Sequence, residues 1–225
     1  MPAAAAPPSG GGAGALGEGV EVCAVLPPGR ERRLDEQPLT AIGAMVDRLV
    51  PVLARWLDRP PVFFGHSMGA LLAFETAGAL AARGKVPPRL LVLSGRRPPD
   101  RPDDQPPIHD LPTEEFVAGL LKLGGTPREV VEHPELLDLL LPVLRADVRA
   151  VETYHYRPRP PLACPIVAFG GTDDERASVA ELAGWERHTS GGCRVRAFSG
   201  GHFFAYEHPD VLPALRDELR PVSGR

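Results

Sequence analysis

Ser67 stands between two glycines, in Gly65-His66-Ser67-Met68-Gly69, where the apolar run Val62-Phe63-Phe64 gives way to a second apolar segment. A serine hydroxyl is a poor nucleophile until a neighbouring base takes its proton and a third group orients that base. The spacing G-x-S-x-G at a strand–helix seam supplies a tight turn. Small residues at Gly65 and Gly69 let strand and helix approach, and the hydroxyl rises above the sheet edge. The helix behind it presents its leading backbone N–H groups, that of Met68 foremost, to a developing oxyanion. For such a nucleophile the partners are expected in the chain order serine, acid, histidine. Both later positions are filled: Thr172-Asp173-Asp174 follows the run 165–171, and Gly201-His202-Phe203 follows the run 194–200. His202 is the base that this chemistry predicts. Asp173 and Asp174 compete as the acid that holds it in the right tautomer.

The other histidines have no such placement. His109, His133, His155, His188 and His208 fall on helical or surface-like segments and are expected to be solvated or structural. His66 adjoins the nucleophile, but its side chain is expected to point away. No HExxH or similar cluster suggests a metal site. The glycine-rich stretch 9–14 has neither a preceding strand nor a following lysine, so it does not read as a phosphate loop. Cys23, Cys164 and Cys193 are far apart without a CxxC pair, and are expected to be buried reduced thiols.

The elements that must position these residues follow from the apolar pattern. Short runs at 20–26, 62–64, 89–95, 165–171 and 194–200 read as strands. Helical spacing predicts helices within 39–57 with Thr40 as cap, 68–83 ending at Gly84, about 176–188 and about 209–219. A Pro- and Asp-rich connector at 96–107 leads into a wholly helical block, about 113–123, 127–132 and 135–155, the last interrupted at Pro142. Strands separated by helices imply a parallel sheet covered on both faces, with the helical block inserted between two strands. The strand ends then gather Ser67, the aspartates and His202 on one edge, where open α/β sheets place their sites.

The chain of 225 residues suits one domain, and with a net charge of -4 nothing suggests a nucleic-acid surface. No apolar run approaches the roughly 20 residues of a membrane span. The N-terminus lacks a secretory pattern, so the cytoplasm is the default address. Residues 1–19 are low-complexity Ala, Pro and Gly and read as a flexible tail; the folded domain is expected over 20–225.

Taken together, these motifs resemble the type II thioesterases that accompany polyketide synthases and nonribosomal peptide synthetases, members of the α/β-hydrolase superfamily. The resemblance covers about residues 20–220. "PGRERR" resembles the family's P-G-R-x-x-R, "FGHSMGALLAFETA" its nucleophile turn, and "LPTEEFVAGLLKLGGTP" with "LLLPVLRADVRAVETYHY" its helical lid, here about 100–157. "FGGTDDERAS" and "FSGGHFFAYEHP" resemble its acid and histidine loops, and the register of the acid motif selects Asp174. The resemblance implies hydrolysis of acyl thioesters on the phosphopantetheine arm of an acyl or peptidyl carrier protein, without a cofactor of the enzyme's own. Ser67, Asp174 and His202 would be catalytic, and the enzyme a monomer. Phe116, Leu120, Leu121, Leu137, Leu140 and Leu144 would line an acyl chamber or pack on the core. Arg30 and Arg33 would pair with nearby carboxylates. The sequence departs from the family at its start, where an apolar strand and a phenylalanine-proline-x-alanine-glycine-glycine loop would donate the second oxyanion N–H. "SGGGAGA" stands there instead, read either as a remnant of that loop or as part of the flexible tail. The expectation is an incomplete sheet at that end, from a truncated or misassigned start or an impaired oxyanion site.

Overall fold

Four short strands pair into one sheet: β1 (Val62–His66), β2 (Leu90–Ser94), β3 (Ile166–Gly171) and β4 (Cys193–Phe198), the last carrying two arginines on an edge. The computed structural model describes residues 16–17, 19–57, 59–101, 105–123 and 133–223. The spatial order is β1-β2-β3-β4 and every pairing is parallel. All of β2 and β3 is buried, as expected of central strands covered on both faces. Among the described residues β1 is an edge strand, and Phe64 is 45% exposed there.

Helices cover both faces. Helices α1 (Ile42–Trp56) and α2 (Met68–Ala82) lie on one side. α2 is apolar nearly all round because it is a middle layer. Ala70, Phe74 and Ala77 meet Leu91, Leu93, Ile166 and Ala168 of the sheet, while Leu71, Leu72 and Leu80 meet Ile42, Met45, Val46 and Val50 of α1. On the far face Leu90, Val92, Val167 and Phe169 pack against Phe204, Val211 and Ala214. Those come from α6 (Phe204–Glu207) and α7 (Val211–Ser223). The helical block between β2 and β3 holds α3 (Thr113–Leu123) and α4 (Pro134–Glu152).

Several details differ from the sequence reading. Residues 20–26 form no strand: their side chains are exposed or half-exposed, Val25 at 51%, with only isolated bridge geometry at Ala24. α1 begins at Ile42 after Ala41, without a side-chain cap from Thr40. α4 runs unbroken through Pro142. The carbonyl left without a donor belongs to exposed Asp138, beside equally exposed Pro142, so water can satisfy it. The helix expected over 176–188 is the short α5 (Val179–Leu182) followed by a 3-10 turn, Ala183–His188. Cys23 is exposed, Cys164 buried and Cys193 half-buried, all three free. Burial raises the Cys164 thiol to about 11, which keeps it protonated and inert. The stretch 9–15 and the helix expected over 127–132 lie outside the described residues.

Candidate active site

Ser67 sits in the turn between β1 and α2 with φ +53° and ψ −113°, a conformation L-residues rarely adopt and one that costs about 1–3 kcal/mol. Two contacts hold it. Its N–H donates to the Ser94 carbonyl of β2 at 2.8 Å, and its own carbonyl accepts from Ala70 N–H at 3.0 Å. Gly65 makes the turn possible, because a Cβ there would lie 2.1 Å from the Gly69 carbonyl oxygen. At Gly69 a Cβ would meet open space, so only the first glycine of the motif is demanded by close packing. Met68 is the first residue of α2, and the leading N–H groups of a helix have no partner within it.

The other two loops are knitted to each other by backbone. Thr172 N–H donates to Phe198 O at 2.8 Å and Asp173 N–H to Gly200 O at 3.0 Å. Gly171 packs so tightly on this crossing that a Cβ would sit 2.4 Å from Gly200 O and 2.5 Å from Gly201 O. The result places Asp174 beside His202.

The side chains then line up. The Ser67 hydroxyl lies 3.0 Å from His202 Nε2, and Asp174 Oδ2 lies 2.8 Å from His202 Nδ1. A carboxylate only accepts, so Nδ1–H donates to Asp174 and Nε2 is free to accept from Ser67. Asp174 Oδ1 accepts from the backbone N–H groups of Arg176 at 2.9 Å and Ala177 at 3.2 Å. Burial pushes this carboxyl up, but the His202 bond and charge and the two amides outweigh it, so it lies below its ordinary value and is ionised at neutral pH. Asp173 is exposed and only its backbone takes part, which separates the two aspartates that the residues alone left open.

His66 overturns its expectation. Its ring does not point away from this group but lies 5.1 Å, centroid to centroid, from that of His202. The signal was strand alternation: with Gly65 turned toward α2, residues 62, 64 and 66 share the opposite face, where α6 and the His202 loop lie. The remaining histidines are structural or peripheral. His109 is buried and bonded to Glu152, His188 is buried and bonded to Asp100, and His133 and His155 are exposed. His208 accepts from the Asp210 backbone N–H. Among the described residues no group of three His, Cys, Asp or Glu is arranged to hold a metal ion, and no helix is long and apolar enough to cross a membrane.

Phe116 and Leu120 are buried, Leu137, Leu140 and Leu144 half-buried, and Leu121 is 38% exposed. Arg30 pairs with Asp147 of α4, and Arg33 with Glu36 at 2.7 Å.

Known proteins resemble this chain in sequence and fold. The sequence profile of the Thioesterase domain family matches residues 13–219. The linear gramicidin dehydrogenase LgrE of Brevibacillus parabrevis is 41% identical over 199 residues, covering 87% of this chain and 76% of the relative. Thioesterase PikA5 of Streptomyces venezuelae is 40% identical over 207 residues, covering 91% and 73% respectively. The solved structure of BorB, a type II thioesterase from the borrelidin biosynthetic cluster, superposes with a TM-score of 0.78 at 39% identity, over 89% of this chain and 80% of that one.

Proposed function

Because this chain belongs to the thioesterase family, with the α/β-hydrolase fold of its type II members, we propose that Ser67, His202 and Asp174 are its nucleophile, base and orienting acid. On this reading the substrate is an acyl group in thioester linkage to the phosphopantetheine arm of an acyl or peptidyl carrier protein of a polyketide or nonribosomal peptide synthase. The observation that carries it is the unbroken line of contacts from Ser67 Oγ through the His202 ring to a buried Asp174. The fold alone does not decide chemistry, and this constellation supports nucleophilic acyl transfer at Ser67.

His202 Nε2 takes the Ser67 proton as Oγ attacks the thioester carbonyl. The carbonyl oxygen becomes an oxyanion facing the Met68 N–H, while ionised Asp174 stabilises the imidazolium. The carbon–sulfur bond breaks, His202 returns the proton to the departing thiolate, and the acyl group remains on Ser67 as an ester. Water gives a proton to His202 and attacks that ester, and the free acid leaves as Ser67 recovers its proton. The pantetheine arm arrives with the substrate, and the steps need no other cofactor. The enzyme works as a monomer in the cytoplasm and clears stalled or misloaded acyl groups. LgrE carries a dehydrogenase name, but here Ser67 occupies the position where a dinucleotide-binding G-x-G-x-x-G turn has its second glycine.

The test is labelling with a fluorophosphonate, with the adduct mapped by mass spectrometry, followed by turnover of an acyl-pantetheine thioester against its matched oxygen ester. Labelling at Ser67 and preference for the thioester are expected. A folded protein that never labels there would show that this reading is wrong. Preference for the oxygen ester would make the enzyme a small-ester esterase of the same fold.

A further inference from the structure

His66 is half-buried among aromatic rings, and its own ring makes one side-chain hydrogen bond. Its Nδ1 lies 2.9 Å from Ser94 Oγ at the end of β2. Gly95 follows with φ +58°, and a Cβ there would lie 2.5 Å from His66 Cε1, so the ring fills the space a side chain would need. The rings of Phe203, Phe204 and Tyr206 surround it at centroid distances of 5.8, 5.9 and 5.4 Å. Its remaining face meets His202 at 5.1 Å, with the planes tilted by 48°. Nε2 is buried with no hydrogen-bond partner. A leucine or phenylalanine would fill such a place without desolvating a polar ring, so the choice of imidazole calls for a reason.

We propose that His66 is a positioning residue for His202: anchored by Ser94 and given room by Gly95, its ring braces the His202 imidazole so that Nε2 stays in line with Ser67 Oγ through successive proton transfers. The inference rests on the proposed triad. His202 stands on the glycine-rich turn 199–203 that follows β4, and it must serve the serine, the leaving sulfur and a water in succession. Misplacement by about 1 Å is enough to lose roughly a hundredfold in rate. The brace must also be neutral, since a cation there would oppose the imidazolium formed in each step. Burial, reinforced by His202, pushes His66 down to about 4, so it carries no charge at neutral pH.

Three variants separate the parts: His66→Ala removes the ring, His66→Phe keeps a ring without its polar atoms, and Ser94→Ala releases the anchor. Each is compared with wild type in kcat, KM and rate of fluorophosphonate labelling, with the thermal midpoint to confirm folding. His66→Ala should lower kcat and labelling about 10- to 100-fold, with KM within about twofold. His66→Phe, which keeps the ring but loses the anchor, should recover part of that loss and retain the deficit of about threefold to tenfold expected of Ser94→Ala. Wild-type kcat and labelling in folded His66→Ala would overturn the inference, as would equal losses in the Ala and Phe variants. If His66→Ala does not fold, Ser94→Ala decides: wild-type rates there overturn it and a loss in kcat at constant KM supports it. Absence of labelling in the wild type would instead bring down the triad reading itself.

Discussion

The loops that carry Asp174 and His202 are joined to each other by main chain, and Ser67 is tied by main chain to the end of β2, whereas the α3–α4 insertion is held to its own leading segment, and through Arg30 to the body, by side-chain charges. In the first region strand ends exchange N–H···O bonds at 2.8–3.0 Å and glycines remove the side chains that would part them. In the second, Glu152 accepts from Ile108 N–H at 2.9 Å, His109 N–H at 3.0 Å and the His109 ring at 2.6 Å. Arg145 donates to Leu111 O at 2.8 Å and lies 4.2 Å over the Phe116 ring, and Arg30 reaches Asp147. Backbone bonds between adjacent strands fix geometry with little dependence on rotamers. Charged side-chain contacts are individually weaker to specify and separately removable. The first region is therefore the one whose variants should change rate at constant fold, and the second the one whose variants should change binding and stability.

The largest test of that division is Ser67→Ala, expected to lower kcat by several orders of magnitude, up to about 10⁶, while leaving the thermal midpoint close to wild type. Next is Asp174→Asn, expected to cost about 10⁴ in kcat through the wrong His202 tautomer, against less than about twofold for exposed Asp173→Asn. Equal losses at the two aspartates would mean that the contact seen at Asp174 is not the working one.

In the insertion, Glu152→Ala strands donors that share one carboxylate, at about 2–3 kcal/mol. For a chain of this size that lowers the thermal midpoint by roughly 4–12 °C. Steady-state kinetics should show a raised KM with kcat within about threefold; a collapse of kcat instead would erase the distinction between the regions.

The smallest effect is on pH. A histidine whose folded pKa is depressed binds its proton in the unfolded chain first. The stability contributed by neutral His66 is therefore complete above about 6.5 and declines as pH falls toward about 4. Between pH 7 and 5 only part of that shift is expressed, on the order of 2 kcal/mol at most. Asp174, lowered rather than raised, acts in the same sense at still lower pH. Denaturant titrations between pH 7 and 5 should show this slope in wild type and a flatter one in His66→Phe; parallel slopes would contradict the assignment.

Much of this was legible beforehand because β1–β4 are short and bounded by breakers, and the chemistry falls at their ends. Asp174 was not separable from Asp173 by composition, since both follow the same strand and only the close crossing at Gly171 and Gly200 buries one of them. His66 was misjudged because alternation says which face a side chain takes but not what the chain brings to that face 136 residues later. Residues 20–26 read as a strand from apolarity alone, which names no neighbour to pair with. Pro142 read as an interruption although its lost bond lies on the wet side of α4.

Arg159 crosses α2 at Gly78, where a Cβ would lie 2.4 Å from its guanidinium carbon, and bonds Glu75 at 2.7 Å while lying 4.3 Å over the Phe74 ring. The chain leaving α4 is thus buckled to the same helix that begins beside Ser67. Anyone transplanting the insertion between homologous enzymes would have to carry Gly78 and Glu75 along with residues 105–160, since a graft cut at the ends of α3 and α4 would leave the buckle without its slot.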